Sequence, residues 1–251
     1  MGICKFYSGA SGIQTPIPKR DFPPDFSDKS RLTFYASLFN SIEINSSFYK
    51  MPMAKTLEKW TDSVAAPFKF TFKLWKGITH NKGLDFKTKD VNQFLRVIDS
   101  IGDKKGCLLV QFPPGLTVGA INHVTNLLTD IAHADENKQW KIAIEFRNKS
   151  WYRESVYELL DAYGAGLVIH DIPASAAPLS VTDNDFIYLR FHGPNGGYRG
   201  SYSDSFLYEY ASYIQEWMED GKIVYAYFNN TMGDALKNLM SLRKYANGDL
   251  S

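Results

Sequence analysis

Short strand-like and helix-like segments alternate along this chain, and that alternation restricts its architecture more than any other feature. Eight strand candidates can be read: Cys4–Ser8, Ser41–Asn45, Phe68–Trp75, Cys107–Phe112, Lys141–Arg147, Gly166–His170, Phe186–His192 and Ile223–Asn229. Apolar residues at helical spacing fall between most of them: Val91, Phe94, Leu95 and Ile98; Ile121, Val124, Leu128 and Ile131; Val156, Leu159, Leu160 and Tyr163; Leu207, Tyr210, Ile214 and Trp217; Ala235, Leu236, Leu239 and Leu242. Glycines close three of these units, at Gly102–Gly106, Gly164–Gly166 and Asp220-Gly221, as expected after a helix. Strand and helix repeated eight times in 251 residues match a TIM-like (β/α)8 barrel, so residues 1–251 are expected to form one α/β domain.

Two units depart from the pattern. A long Pro- and Gly-rich loop, Gly9 to Asp28, follows the first strand, and the segment Asp171–Asp185 after the sixth shows no helix. The first and sixth βα units are therefore expected to be irregular. The alternative, a doubly wound open sheet, wants a glycine-rich dinucleotide turn after the first strand, and Gly9-Ala10-Ser11-Gly12 is not one.

Side chains of a strand alternate between two faces. One face reads Ile42, Ile44; Phe70, Phe72, Leu74; Leu108, Val110, Phe112; Ile142, Ile144, Phe146; Leu167, Ile169; Ile187, Leu189, Phe191; Val224, Ala226, Phe228. That face must pack on the helices. The other reads Ser41, Glu43, Asn45; Thr71, Lys73, Trp75; Cys107, Leu109, Gln111; Ala143, Glu145, Arg147; Val168, His170; Tyr188, Arg190, His192; Tyr225, Tyr227, Asn229, and lines the barrel interior.

Barrel interiors are usually filled with bulky branched residues, and barrel active sites sit at the carboxyl ends of the strands. Here the lining is polar, most so at those ends. Internal ion pairs, Glu145 with Arg147 or Arg190 and Glu43 with Lys73, offer a structural explanation. Buried pairs add little net stability, however, so this many converging charges point to a site. Lys73, Arg147 and Arg190 outnumber Glu43 and Glu145, which suits an anionic ligand, a carboxylate or phosphate. Asn229 to Asp234 runs from a strand end to a helix start, where free backbone N–H groups could hold an anion. The seventh loop, His192 to Gly200, reads as flexible and carries Arg199.

Bulk properties exclude other classes. A net charge of +1 gives no global pull toward nucleic acid or an anionic membrane. Cys4 and Cys107 form neither a disulfide framework nor a metal-ligand cluster. No apolar run is long enough to cross a bilayer, the start lacks a signal-peptide apolar region, and Phe6 stands where a myristoylation signal wants Ser or Thr. A cytoplasmic protein without a membrane partner is expected. The sequence says nothing of its oligomeric state.

The stretches Phe39 to Tyr49, Phe70 to Lys73 with Ile78-Thr79-His80, Gln111 to Pro114, Glu145-Phe146-Arg147 with Ser150-Trp151, Arg190 to Gly193, Tyr198 with Tyr202, and Tyr227 to Asn230 stand in this order along the chain. Together they resemble the domain-of-unknown-function 72 family, also called YecE-like proteins. The resemblance covers most of the chain in order. It implies a TIM-barrel-like fold and no established activity. Ile13 departs from it, standing where an aromatic residue is expected.

The residues support three readings. The first is an enzyme, a hydrolase or lyase acting on an anionic small molecule without a tightly bound metal or other cofactor. Glu43 or Glu145 would serve as general acid or base, with His170 and His192 as alternates. Lys73, Arg147 and Arg190 would bind the anion, and Tyr198, Tyr202 and Trp151 would wall the pocket. Asn45, His80, Gln111, Gly193, Asn229 and Asn230 complete the expected substrate-binding set. The second is a divalent-metal hydrolase or isomerase using Glu43, Glu145, His170, Asp171 and His192, which the interleaved cations disfavour. A nuclease is a special case of either, with Trp75-Lys76 and His80-Asn81-Lys82 contacting a DNA backbone, and rests on fold analogy alone. The third is a non-catalytic anion-binding protein using the same mouth. His123, His133, Trp60, Trp140 and Trp217 are read as surface or packing residues.

Overall fold

Eight parallel strands form a nearly closed barrel in the computed structural model, which describes residues 4–179 and 184–248. The strands are β1 (Phe6–Ala10), β2 (Ser41–Ile44), β3 (Lys69–Lys73), β4 (Lys105–Gln111), β5 (Lys141–Glu145), β6 (Gly166–His170), β7 (Phe186–Phe191) and β8 (Ile223–Phe228). Hydrogen-bonded ladders run from β2 through β3 and on to β8, and then to β1. Most strand ends fall within a residue or two of the sequence expectation. β1 lies two residues further on than Cys4–Ser8, because Ser8, Gly9 and Ala10 pair with Ala226, Tyr227 and Phe228.

The helices are α1 (Arg31–Leu38), α2 (Ser46–Tyr49), α3 (Ala54–Asp62), α4 (Lys76–Thr79), α5 (Thr88–Ile98), α6 (Ile121–Ala134), α7 (Glu154–Ala162), α8 (Asp204–Glu219) and α9 (Ala235–Ala246). The irregular units fall where the sequence puts them. The loop after β1 carries only two short 3-10 turns before α1, and no helix lies between β6 and β7 among the described residues. No helix among those residues is long and apolar enough to cross a membrane.

Strand alternation produces two separate cores. Ile42, Ile44, Phe70, Phe72, Leu108, Val110, Ile142, Ile144, Leu189 and Phe228 pack outward against the helices. Tyr7, Cys107, Leu109, Ala143, Val168, Phe186, Tyr188, Tyr225 and Tyr227 fill the lower interior, where Tyr7 stacks on Tyr225 at 5.2 Å. Above them the Tyr227 hydroxyl meets the Ser41 and Thr71 hydroxyls at 2.6 and 2.8 Å. Among the described residues, the lower barrel is thus filled by side chains. Trp75, assigned by alternation to the interior, instead packs half-buried against the outer core, because β3 ends at Lys73 and the chain turns into α4.

The seam between β1 and β2 is closed mainly by side chains. One isolated bridge, Ser11 with Glu43, joins their ends. Below it the Tyr35 hydroxyl accepts from the Ala10 N–H at 2.7 Å and donates to the Ser41 carbonyl at 3.0 Å. Asn40 likewise accepts from the Ser8 N–H and donates to the Phe6 carbonyl. The strands approach so closely that a Cβ on Gly9 would lie 2.0 Å from the Ser41 carbonyl oxygen. Only glycine fits there.

Candidate functional site: the barrel mouth

Three fully buried charged side chains form the floor of the mouth. Glu43 from β2, Glu145 from β5 and Arg190 from β7 are each at most 1% exposed. Arg190 donates through Nε and Nη2 to Glu43, at 3.0 and 2.8 Å, and through Nη1 to Glu145 at 2.9 Å. Glu43 also accepts from the Tyr188 hydroxyl at 2.6 Å and from the Ser11 hydroxyl. Glu145 accepts from Arg147 Nε as well. Burial pushes both carboxyls up. Arg190 with the Ser11 and Tyr188 hydroxyls for Glu43, and Arg147 with Arg190 for Glu145, carry them below the ordinary value of 4.5. Both are held as carboxylates whose oxygens are occupied, a poor arrangement for moving protons.

The two histidines hold structure. His192 Nε2 lies 3.0 Å from Arg147 Nη2 and 3.1 Å from Arg190 Nη1, and guanidinium nitrogens can only donate, so Nε2 accepts. The ring proton then sits on Nδ1, 3.4 Å from Asp171 Oδ1, in a contact that does not form a hydrogen bond. Burial, opposed by Asp171, brings His192 down to about 4. His170 faces the Phe146 carbonyl through Nε2 at 2.9 Å and accepts from the Ile172 N–H at 3.3 Å, tying down the loop after β6.

Over this floor lies a cavity of about 300 Å³ lined by Ser11, Asn45, Phe48, Tyr49, Lys73, Arg147, Arg190, Tyr198, Asn229, Thr231 and Met232. Three cations line it and no carboxylate does. Arg190 has only an Nη2 hydrogen left for a ligand, whereas Arg147 keeps its Nη1 group and one Nη2 hydrogen. Lys73 Nζ sits 4.0 Å over the Phe48 ring, and no hydrogen bond or ion pair among the described residues reaches it. The Glu43–Lys73 pair open to the sequence does not form, because Arg190 reaches Glu43 from across the barrel. Burial, then the Arg190 charge, lower Lys73 to about 7. The Asn45 Oδ1 is buried and lacks a hydrogen-bond partner among the described residues.

Of the substrate-binding residues expected from sequence, Asn45, Lys73, Arg147, Arg190, Tyr198 and Asn229 meet in this cavity. The others lie elsewhere. Trp151 is fully buried in the outer core, stacked at 4.4 Å on Phe146, with its indole N–H on the Leu116 carbonyl. A 3-10 turn at Lys149–Trp151 folds it over the outward face of β5. Tyr202 is buried beneath the seventh loop, where its hydroxyl donates to Asp171 and accepts from the Gly193 N–H. Gly193 itself has φ +102°, and a Cβ there would lie 2.1 Å from the Arg199 carbonyl oxygen. Asn230 bonds to the Gly200 carbonyl and to Asn238. Gln111 donates to the Phe112 carbonyl, and His80 packs edge-on against Phe48 at the rim.

Two loop expectations need correction. The seventh loop is pinned by bonds from the Tyr198 N–H to His192 and from the Met232 and Asp234 N–H groups to Tyr198 and Gly200. Those bonds, with Gly233 N–H on Asn230 and Asn229 N–H on Phe191, also consume four of the six backbone donors of Asn229 to Asp234 expected to bind an anion before α9. Ser11, Phe48, Tyr49, Thr231 and Met232 line the cavity without having been singled out. Phe48 and Tyr49 belong to a stretch that carries the family resemblance, and that was their signal.

Among the described residues, no three His, Cys, Asp or Glu side chains are grouped so as to hold a metal ion. Glu43 and Glu145 turn their oxygens to guanidinium groups, and the histidines are engaged as above, so the donor set does not fit a resident divalent cation. A second cavity, of about 270 Å³, opens between α6 and the amino ends of β5 and β7. Its Lys141 and Asp185 pair with each other, and Asp135 accepts from the Gln139 and Trp140 N–H groups.

Comparison with known proteins agrees with the fold. UPF0759 protein YunF of Bacillus subtilis (strain 168) is 28% identical, over 86% of each chain. The structure of a DUF72 family protein from Thermotoga maritima MSB8 superposes with a TM-score of 0.78 at 24% identity, covering 96% of this chain and 99% of that one. One from Enterococcus faecalis V583 gives 0.77 at 21% identity, covering 96% and 95%. The model of the family described as "Protein of unknown function DUF72" matches residues 7–250, and the chain belongs to that family.

Proposed function

We propose that this protein is an enzyme whose barrel mouth binds a small anionic substrate, one bearing a carboxylate or phosphate. The observation that carries this reading is the lining of the 300 Å³ cavity: Lys73, Arg147 and Arg190 and no acid. The carboxylates lie beneath, where they hold guanidinium groups in place. Such preorganised donors bind an anion without first reorganising. The volume is at the lower end of small-molecule sites, which favours a metabolite-sized ligand. Cations gathered inside a cavity, rather than along an open groove, favour such a ligand over a nucleic-acid duplex.

In this reading Lys73 and the free Nη groups of Arg147 contact the anion. Asn45, Asn229 and Ser11 supply neutral polar contacts, and Phe48, Tyr49, Tyr198 and Met232 form the walls. Glu43 and Glu145 position cations rather than transfer protons.

A thermal-shift panel of inorganic phosphate, sugar phosphates and short carboxylates tests it. A ligand at a hundred times its Kd stabilises the fold by about 2.7 kcal/mol. Wild type should respond to members of the panel, and Lys73→Met and Arg147→Met should lose that response. Arg190 is unsuited to this test, since its removal strands two buried carboxylates. Wild type that responds to none of these anions would reject the reading.

A further inference from the structure

We infer that Lys73 is a nucleophilic amine that forms a Schiff base with a small oxo acid, the acid group resting on Arg147. This deepens the proposed function and rests on it. Lys73 ends β3 on the cavity wall, beside Arg147 and Arg190 and with no carboxylate partner. A lysine that merely balanced charge would be expected on Glu43 or Glu145, yet both are saturated by arginine. Its Nζ lies 4.0 Å over the Phe48 ring and, among the described residues, has no hydrogen-bond acceptor. The nitrogen lone pair is therefore available once a proton leaves.

Burial and the nearby Arg190 charge favour that loss, bringing Lys73 to about 7. At pH 7 about half of such amines are neutral, roughly a thousandfold more than for an ordinary lysine. Desolvation beside another cation is a known way of activating an amine toward carbonyl compounds.

The reaction balances without a redox partner. The Nζ lone pair forms a bond to the carbonyl carbon, and one N–H proton passes to the oxygen, giving a carbinolamine. That hydroxyl takes a proton from solvent, which reaches the cavity past Tyr49 and Met232, and leaves as water. The C–O bond breaks and a protonated C=N bond forms. Arg147, fixed by Glu145 and His192, retains N–H groups for the acid. The positive imine nitrogen then draws electrons from the bond next to the former carbonyl, chemistry suited to cleaving or forming C–C bonds or to moving a proton there.

The test uses the full chain. Wild type and Lys73→Arg are incubated with glyoxylate, pyruvate, oxaloacetate or 2-oxoglutarate, reduced with sodium borohydride, and mapped by peptide mass. Thermal stabilisation by the same acids, by malonate and by inorganic phosphate is measured in parallel. The expected result is a reduced adduct on Lys73 of wild type, at least about tenfold above that on the exposed Lys76, and none at position 73 of Lys73→Arg. Labelling of Lys76 to the same extent as Lys73 would overturn the inference. Stabilisation without an adduct on Lys73 would overturn it too, leaving the anion site standing. Neither stabilisation nor adduct would reject both.

Discussion

Arg190 on β7 grips both carboxylate oxygens of Glu43 on β2 from across the barrel, with Nη2 2.8 Å from Oε1 and Nε 3.0 Å from Oε2. The same guanidinium reaches Glu145 on β5. Three strands are thereby joined by one buried side chain, and the cations above them inherit a fixed floor.

Removing that side chain should be costly. In Arg190→Met, two buried carboxylates lose their shared partner, and breaking a buried pair typically costs about 3–5 kcal/mol. Urea denaturation of the variant measures it. A loss below about 1 kcal/mol, the range of exposed pairs, would contradict the described network.

Closure of the barrel offers a second test. Tyr35→Phe deletes the hydroxyl that serves the Ala10 N–H and the Ser41 carbonyl across the β1–β2 seam. Leaving buried backbone groups unpaired should cost about 1–3 kcal/mol in denaturant unfolding. Unchanged stability would mean that the seam does not depend on this hydroxyl.

How much of this was written in the sequence differs by residue. In β5, Ile142, Ile144 and Phe146 against Ala143, Glu145 and Arg147 announce both an outer packing face and an inner polar one, and the structure follows. A two-residue period survives any detail of packing. Trp151, Tyr202 and Asn230 lie beyond strand ends, where loop conformation and not periodicity decides direction, and all three turn into supporting roles. The solitude of Lys73 was hidden for another reason. It depends on Arg190 crossing the barrel to Glu43, a contact 147 residues apart in sequence.

Acid should destabilise the fold in two stages. His192 is held at about 4 against an ordinary 6.5, so between those values the unfolded chain binds a proton that the folded one refuses, and stability falls as pH falls. That stage is worth up to about 3 kcal/mol, and His170, also lowered, acts in the same direction. Below about 4.5 the lowered Glu43 and Glu145 add a second loss, since the unfolded carboxyls take up protons first. Denaturation midpoints measured from pH 8 to pH 3 should show both stages, and His192→Gln should flatten the first. A profile flat from pH 6.5 to 4.5 would be inconsistent with neutral buried histidines.

Anion affinity should also depend on pH, in the opposite sense to amine reactivity. Lys73 gives up its proton around 7, so binding should weaken as pH rises through that value, by at most about tenfold per pH unit. Calorimetry in buffers of different ionisation enthalpy should detect proton uptake on binding by wild type at pH 7.5 and little at pH 5.5, where Lys73 is already protonated. Equal uptake at both would assign the proton to another group.

The site itself can be located by soaking crystals of the protein in selenate, a tetrahedral oxyanion with an anomalous signal. Density is expected inside the mouth cavity, within hydrogen-bond reach of Lys73 Nζ and the Arg147 Nη groups. Selenate ordered only on exposed lysines and arginines, with the cavity left empty at high concentration, would contradict an anion site at the barrel mouth.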